Sequence, residues 1–86
     1  MVINLLPQEQ STQSNFNSPV FMTRGFKEVF KGRSFFVAVN ALLKIHKERV
    51  RSSDGADYFQ VAEHNGIKFY VIDDVSHVTF LMPEDY

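Results

Sequence analysis

The sequence contains no cysteine and no tryptophan, and only four glycines and three prolines among 86 residues. Without cysteine there is no disulfide, no thiolate ligand for a metal and no thiol nucleophile. No apolar run approaches the roughly 20 residues that span a membrane. The stretch VINLL at residues 2–6 is too short for a signal peptide, and no cations precede it. These absences predict a soluble, cytoplasmic protein without a membrane partner.

Aromatic residues are plentiful, with nine Phe and three Tyr. A chain of this length forms one small domain that buries only about 60–65% of its unfolded surface, so its margin of stability is thin. Each aromatic ring removes a large apolar area from water. We therefore predict a core built mainly from aromatic side chains.

Charge is divided unevenly between the two halves of the chain. Residues 22–51 carry eight cations against Glu28 and Glu48, a net charge of +6, whereas residues 52–86 carry Lys68 against seven acids, a net charge of −6. Either the first half binds an anionic partner, or the two halves neutralise each other within the fold. We expect mutual neutralisation, in which a basic helix packs beside an acidic sheet rim.

Polar residues dominate the N-terminal part of the chain. The stretch PQEQSTQSNFNSP at residues 7–19 has one aromatic residue, too little apolar surface to offset the entropy lost on ordering. We predict a flexible tail over residues 1–18 and a single compact domain over residues 19–86. The alternative is that the apolar stretch VINLL packs on the domain as an added strand.

The clearest helical pattern is SFFVAVNALLKIHKERVRS, which starts at Ser34. Ser34 is a good N-cap residue, and one stripe of the helix is polar, consisting of Asn40, Lys44, Lys47, Glu48 and Arg51. The rest of the cylinder is largely apolar, so we predict one helix from about residue 35 to residue 52 that packs on a sheet. Before it, VFMT at residues 20–23 is typical of a short strand, and the spacing of GFKEVF predicts a short helical turn that Gly32 closes.

A period of two governs DYFQVAEHNGIKFYVIDDVSHVTFLMP, residues 57–83. Asn65-Gly66 suits a type I′ turn, because both central positions of that turn need a positive φ. The turn sets the register, which pairs Glu63 with Lys68, Val61 with Tyr70 and Phe59 with Ile72. A second turn around Asp73–Ser76 returns the chain as a third strand over His77–Met82. The predicted class is α+β, a three- or four-stranded antiparallel sheet packed on one long amphipathic helix.

The stretch GFKEVFKGRS at residues 25–34 has the outline of a lengthened phosphate-binding loop. A nucleotide-binding loop needs four residues between its glycines, followed by Lys and then Ser or Thr. Here six residues intervene, three of them bulky and apolar, and Arg33 replaces the lysine. His46, His64 and His77 show no metal-ligand spacing, and no nucleophile motif is present. The sequence therefore predicts no enzyme activity, no cofactor and no metal.

Two groups of cations are candidate contacts for an anion. Lys31 and Arg33 precede the predicted helix, where the positive end of the helix dipole disfavours cations. Either an acid of the C-terminal half or an external phosphate or carboxylate should therefore lie near them, and we expect the internal acid. The second group is the basic stripe of Lys44, Lys47 and Arg51, which suits nucleic acid except that an acid interrupts it and the whole chain has a net charge of −1.

Three short pieces of the chain resemble a known family, in the same order. VFMTRGF at residues 20–26, DYFQV at 57–61 and HVTFLMPEDY at 77–86 are similar to the start, middle and end of the small proteins grouped as domain of unknown function 960. That family's pattern runs Thr-Arg-Gly, a helix, Asp-Tyr-Leu-Gln and a closing Pro-Glu-Tyr. Phe59 stands where the family tends to have Leu, and Asp85 intervenes before the final tyrosine. The resemblance implies a compact domain from a Gram-positive bacterium or its phage, and it implies no activity.

The leading hypothesis is a small, non-enzymatic interaction protein, encoded by a phage or mobile element, that regulates or inhibits a partner protein by binding it. The period of two puts Tyr58, Phe69 and Val71 on one sheet face, which we expect to bind the partner or to form a homodimer. The other face carries Phe59, Val61, Tyr70 and Ile72. The competing hypothesis is a nucleic-acid-binding regulator that uses Lys31, Arg33, Lys44, Lys47 and Arg51.

Overall fold

Seven short strands and a broken helical segment form the fold, which a computed structural model describes over residues 1–86. The strands are β1 (Asn4–Leu5), β2 (Gln13–Ser14), β3 (Val20–Met22), β4 (Ala56–Asp57), β5 (Phe59–His64), β6 (Ile67–Asp73) and β7 (Val78–Leu81). The helical elements are α1 (Arg24–Phe30), a 3-10 turn (Lys31–Arg33), α2 (Ser34–Ile45), a π-helical turn (His46–Val50) and a C-terminal 3-10 turn (Pro83–Asp85). None of the helices combines the length and the hydrophobicity that crossing a membrane requires.

The main sheet has five strands in the order β1-β5-β6-β7-β3, and β2 pairs with β4 in a separate two-stranded sheet. All neighbours are antiparallel except β3 and β7, which are parallel. The predicted α+β class, with helices packed on a sheet, is confirmed. The sheet is larger than predicted because the N-terminal segment contributes β1. It is mixed because the chain passes through the helices and a hairpin between β3 and β7.

The hairpin of β5 and β6 has the predicted turn and register. Asn65 and Gly66 have φ angles of 52° and 78°, as a type I′ turn requires. The pairs across the hairpin include Glu63 with Lys68, Val61 with Tyr70 and Phe59 with Ile72. A local turn signal therefore determined which side chains share each face of the sheet.

The short helical turn predicted over GFKEVF is present as α1. Thr23 caps α1, and its Oγ1 accepts a hydrogen bond from the N–H of Phe26 at 3.2 Å. Ser34 is the first residue of α2 and not a cap, since the 3-10 turn leads directly into that helix. The break between α1 and α2 falls at Lys31, whose φ is 51°, one residue before the predicted stop at Gly32.

Aromatic rings fill the space between the helices and the sheet, as predicted. Phe26 of α1 has ring centroids 4.9–5.6 Å from those of Phe30, Phe69 and Phe80, and all four rings are buried. From α2, the buried residues are Val37, Ala38, Ala41 and Ile45. Because four rings already occupy this layer, small residues are what lets α2 approach it closely.

The N-terminal segment packs into the fold in this structure. β1 extends the main sheet beside β5, so the alternative in which VINLL adds a strand is the one observed. The side chains of Ile3 and Phe16 are buried in the core. The structure thus differs from the predicted division into a tail over residues 1–18 and a domain over residues 19–86.

Polar contacts account for the difference between the expected tail and the observed strand. Oδ1 of Asp57 accepts hydrogen bonds from the N–H groups of Ser11 and Thr12, each at 2.9 Å. The carbonyl of Phe16 lies 2.9 Å from Nε2 of His46. These partners lie 30 or more residues away in sequence, so the local composition of the segment cannot reveal them.

Candidate protein-binding surface

The outer face of α2, opposite the core, carries large apolar side chains. Phe35, Phe36 and Leu43 are 62%, 58% and 64% exposed, and Val39 is exposed between them. A surface helix of a globular protein normally turns polar residues outward. The core contacts of this helix use Val37, Ala38, Ala41 and Ile45, so packing within the chain does not explain the Phe and Leu side chains on its outer side.

A groove with a volume of about 190 Å³ separates α2 from the edge strand β3. Every residue that lines it is apolar: Val20, Met22, Phe35, Ala38, Val39 and Leu42. The groove makes the apolar surface continuous from the helix to the edge of the sheet. We call it, with the outer face of the helix, the α2–β3 surface, which comprises Val20, Met22, Phe35, Phe36, Val39, Leu42 and Leu43.

One side of β3 is unpaired, because β3 is the last strand of the sheet. Its hydrogen bonds to β7 use the N–H of Thr23, at 3.0 Å, and the carbonyl of Pro19, at 2.8 Å. Hydrogen-bonding groups alternate in direction along a strand, so Val20 and Met22 direct their N–H and C=O groups away from β7. The open edge therefore presents free backbone donors and acceptors next to the groove.

The basic and acidic halves of the chain are not joined by ion pairs. The two ion pairs present, Arg24 with Glu28 and Lys44 with Glu48, both lie within the helical part. Acids of the second half accept hydrogen bonds from N–H and O–H groups instead, as Asp57 does. The expected neutralisation of the two halves therefore involves no direct ion pair, and most exposed cations of the helical part have no ion-pair partner.

The cations predicted as anion contacts lie in different places. Lys31 and Arg33 are exposed in the 3-10 turn before α2, without the acidic partner that we expected. Lys47 and Arg51 are exposed at the far end of the helical segment. Lys44 is withdrawn from the stripe, because its Nζ donates a hydrogen bond to a backbone carbonyl just before β1. The predicted basic stripe is thus divided into two exposed ends.

The residues predicted to bind a partner lie mostly in the core. Phe69 and Val71 are fully buried beneath the helices, whereas Tyr58 is half-buried beside β5. The period of two separates the two sheet faces, but it does not show which of them a helix covers. The assignment of Phe69 and Val71 to an accessible surface is therefore wrong.

The sheet face away from the helices is the second accessible apolar region. The rings of Phe59, Tyr70 and Tyr86 contact one another there, with centroids 4.9–5.8 Å apart. A depression of about 370 Å³ beside them includes the polar side chains of Gln8 and Glu9 in its lining. Because these rings cover one another, Phe59 and Tyr70 are half-buried, and Tyr86 is the exposed member of the three.

Asp57 is the most heavily hydrogen-bonded carboxylate in the fold. Burial by itself would raise its pKa, but hydrogen bonds from Thr12, Ser11 and Phe59 outweigh that effect and lower the pKa below its usual value. The side chain is thus held as a carboxylate that joins the N-terminal segment to β4. Its hydrogen-bonding capacity is used within the fold, which indicates a structural role.

Arg49 and Asp74 are two other groups with displaced pKa values. Burial lowers the pKa of Arg49, whose guanidinium donates to Oε1 of Gln60 at 2.6 Å and to the carbonyl of Leu6 at 2.8 Å. Hydrogen bonds from the N–H of His77 and from Ser76 lower the pKa of the exposed Asp74. No group of three or more His, Asp or Glu side chains is arranged to hold a metal ion.

No family model matches the chain, and no curated protein or solved structure is significantly similar to it. The resemblance to domain of unknown function 960 therefore stays a prediction. Two of the pieces that carry it are neighbours in space, since β3 pairs with β7 and Thr23 Oγ1 donates to Oδ2 of Asp85 at 2.7 Å. The function has to be argued from the geometry of the chain itself.

Sequence reasoning missed the α2–β3 surface although a signal was present. The helical pattern showed apolar residues on most of the cylinder of α2, which we interpreted as one broad face against a sheet. The useful signal was that the apolar residues surround the helix: Val37, Ala38, Ala41 and Ile45 make up one side, and Phe36 and Leu43 lie on the other. One sheet cannot cover both sides of a helix, so the second side is left for another contact.

Proposed function

We propose that this protein acts by binding another protein through the α2–β3 surface. The observation that carries the proposal is the exposure of Phe35, Phe36 and Leu43 on the side of α2 that faces away from the core. Single exposed apolar residues are ordinary, but a continuous apolar patch on a small domain is typical of a protein interface. The adjoining groove gives the patch a concave part into which an anchor side chain fits.

The energetics of the surface support a specific complex. Burying a Leu or Phe side chain contributes about 1.5–3 kcal/mol relative to leaving it exposed. Association costs about 4–15 kcal/mol in lost translational and rotational freedom. Three large side chains offset a substantial part of that cost, and backbone hydrogen bonds or charge contacts supply the remainder.

Affinity capture with two matched variants tests this proposal. The full chain is immobilised, and proteins of the source cells that it retains are identified by mass spectrometry. We expect Phe36→Ser and Leu43→Ser each to abolish retention of the specific partner. Because both side chains are exposed, each variant should change the free energy of unfolding by no more than about 0.5 kcal/mol, which thermal unfolding checks.

Tyr86→Ser is the control, since Tyr86 is also an exposed aromatic residue but lies on the opposite sheet face. It should leave partner binding unchanged. Loss of binding in this variant, with retention in Phe36→Ser and Leu43→Ser, would place the interface on the other face and overturn the proposal.

Nucleic-acid binding is the second candidate function, and one observation favours it. Lys31, Arg33, Lys47 and Arg51 are exposed and form no ion pair. This candidate predicts that a DNA column retains the protein at low salt and that retention falls steeply as salt rises. Flow-through at low salt would remove this candidate and leave protein binding as the proposal.

A further inference from the structure

We infer that the partner is bound as an added strand: an extended segment of another protein, apolar in its centre and acidic at one end, pairs with the open edge of β3 and packs against α2. This inference rests on the proposed function and specifies the chemistry of the partner. Three independent features of the chain support it, namely the backbone of β3, the lining of the groove and the distribution of unpaired cations.

The backbone of β3 has unpaired hydrogen-bonding groups that a further strand could satisfy. Val20 and Met22 direct their N–H and C=O groups to the open side, and three residues in extended conformation present them in register. A strand added at the usual spacing of about 4.8 Å satisfies these groups. This is the hydrogen bonding by which extended peptides join sheet edges in other proteins.

The two edges of the main sheet differ in their protection. At the β1 edge, the outward carbonyl of Ile3 accepts a hydrogen bond from Nζ of Lys44, and Pro7 follows the strand closely. A lysine and a proline are common devices that prevent strand addition. β3 contains no lysine, and Pro19 directly before it directs its carbonyl to β7 and so leaves the open side unprotected. The residues whose backbone faces that side, Val20 and Met22, are apolar.

The groove selects the side chains of the added strand. Val20 and Met22 point into the groove beside Phe35, Val39 and Leu42. Side chains of an added strand alternate in direction, so every second one enters the same groove. Apolar side chains are favoured there because no side chain in the lining offers a hydrogen bond.

Charge favours a foreign segment over a second copy of this chain. Lys31 and Arg33 lie just before the groove residue Phe35 in the chain, are exposed and have no ion-pair partner. Lys47 lies on the other side of α2, beside residues 1–3. A symmetric dimer would place the α2–β3 surface, which contains no acid, against itself. An acidic end of the added segment matches Lys31 and Arg33 instead.

Peptide selection followed by hydrogen exchange tests the inference. A random peptide library is selected against the immobilised full-length protein, and the strongest binder is synthesised and added to the protein. We expect selected sequences with alternating apolar residues and one acidic end. In NMR spectra, the bound peptide should slow the hydrogen exchange of the Val20 and Met22 amides at least tenfold.

Matched charge variants test the acidic end of the segment. Lys31→Gln and Arg33→Gln should each weaken binding of the selected peptide about two- to fivefold. Lys47→Gln and Lys68→Gln change the net charge equally, but Lys47 lies beside residues 1–3 and Lys68 is exposed on the far side of the sheet, so both should leave the affinity unchanged. Equal weakening by all four variants would show a general charge effect and would overturn the acidic-end argument.

Other outcomes separate this inference from the proposed function. A peptide or partner that is lost in Phe36→Ser, yet leaves amide exchange at Val20 and Met22 unchanged, would overturn strand addition and leave protein binding intact. Protection of these amides that rises with protein concentration alone would mean that a second copy occupies the edge. If no peptide is enriched and no protein is captured, both the inference and the proposed function fail.

Discussion

Carboxylates of the second half of the chain hold the N-terminal segment by hydrogen bonds. Asp57 binds the N–H groups of Ser11 and Thr12, and Asp73 accepts from the N–H of Phe16 at 3.1 Å. Hydrogen bonds to charged acceptors contribute about 1.5–3 kcal/mol each. A few acidic side chains therefore order a segment whose own hydrophobicity is low.

The pH dependence of stability should report on Asp57. Its pKa is lower in the folded state than the ordinary value of 3.8, which applies to the unfolded chain. Its contribution to the free energy of unfolding is therefore fully present above pH 3.8 and is lost as the pH falls through the lower pKa of the folded state. We expect Asp57→Asn to lower the free energy of unfolding by about 1–3 kcal/mol near neutral pH. The carboxylate accepts hydrogen bonds at both of its oxygens, whereas an amide has only one oxygen that accepts. Chemical unfolding at a series of pH values measures this, and the variant should show a smaller fall in stability at acid pH.

Asp54→Asn is the control for Asp57, because its carboxylate makes no hydrogen bond within the fold. It should change stability little at any pH. If Asp57→Asn behaves as Asp54→Asn does, the hydrogen bonds of Asp57 do not hold the N-terminal segment.

Gly66 should be required for its backbone conformation alone. Its φ is +78°, and a side chain there would meet no atom within 4 Å, so Gly66→Val should lose about 1–3 kcal/mol through backbone strain. In a domain of this size, each kcal/mol lowers the melting temperature by about 4–8 °C. Gly32→Val is the matched control for Gly66→Val, since a side chain at Gly32 would also meet no atom within 4 Å but Gly32 has no positive φ. Equal melting temperatures of the two variants would contradict the strain argument.

At the scale of elements, phenylalanine is buried in one segment of the chain and exposed in another. Phe16 is buried although it lies in the most polar part of the chain, and Phe36 is exposed although it lies in the most apolar helix. Hydrophobic composition of a segment therefore does not decide burial. The partners that the fold brings to each residue decide it.

A matched pair of substitutions should show this difference directly. Phe16→Ala should lower the free energy of unfolding by about 3–5 kcal/mol, because it leaves a cavity in the core. Phe36→Ala removes the same atoms from an exposed position and should change stability by no more than about 0.5 kcal/mol. Denaturant unfolding of both variants measures the difference. A neutral Phe16→Ala would mean that the N-terminal segment is the flexible tail that the composition predicts.

The hairpin and α2 show which elements are predictable from sequence. The hairpin was predicted with its register because Asn65-Gly66 is a local signal and the strands beside it alternate regularly. The short helical turn after Thr23 was predicted too, but Ser34 was wrongly assigned as a cap, because its residue type does not show that a 3-10 turn leads directly into α2. The parallel pairing of β3 with β7 was missed too, because its two strands are separated by the helices and the hairpin and share no local signal.

At the scale of the molecule, the charge and the apolar surface lie on the same side. The helical part carries the unpaired cations and the α2–β3 surface, while Asp57 and Asp73 of the second half bond to the N-terminal segment. Opposite charge on a partner would therefore accelerate its approach to the apolar surface.

Salt should accordingly change the rate of association more than the rate of dissociation. With the captured partner, or with the selected peptide, we expect the association rate constant to fall as ionic strength rises, because salt screens the exposed cations. The dissociation rate constant should change little, since apolar burial dominates it. Surface plasmon resonance at several salt concentrations gives both. A salt effect confined to dissociation would contradict this steering by charge.

The sequence by itself determined the features that local rules govern. These are the α+β class, the hairpin and its register, the division of side chains between the sheet faces, and an aromatic core. Only the tertiary structure decided which sheet face the helices cover, that Ile3 and Phe16 complete the core, and that β3 has an open edge beside α2. The physical reason is that burial and strand neighbours depend on contacts between residues far apart in the chain, and such contacts leave no periodic mark in the sequence.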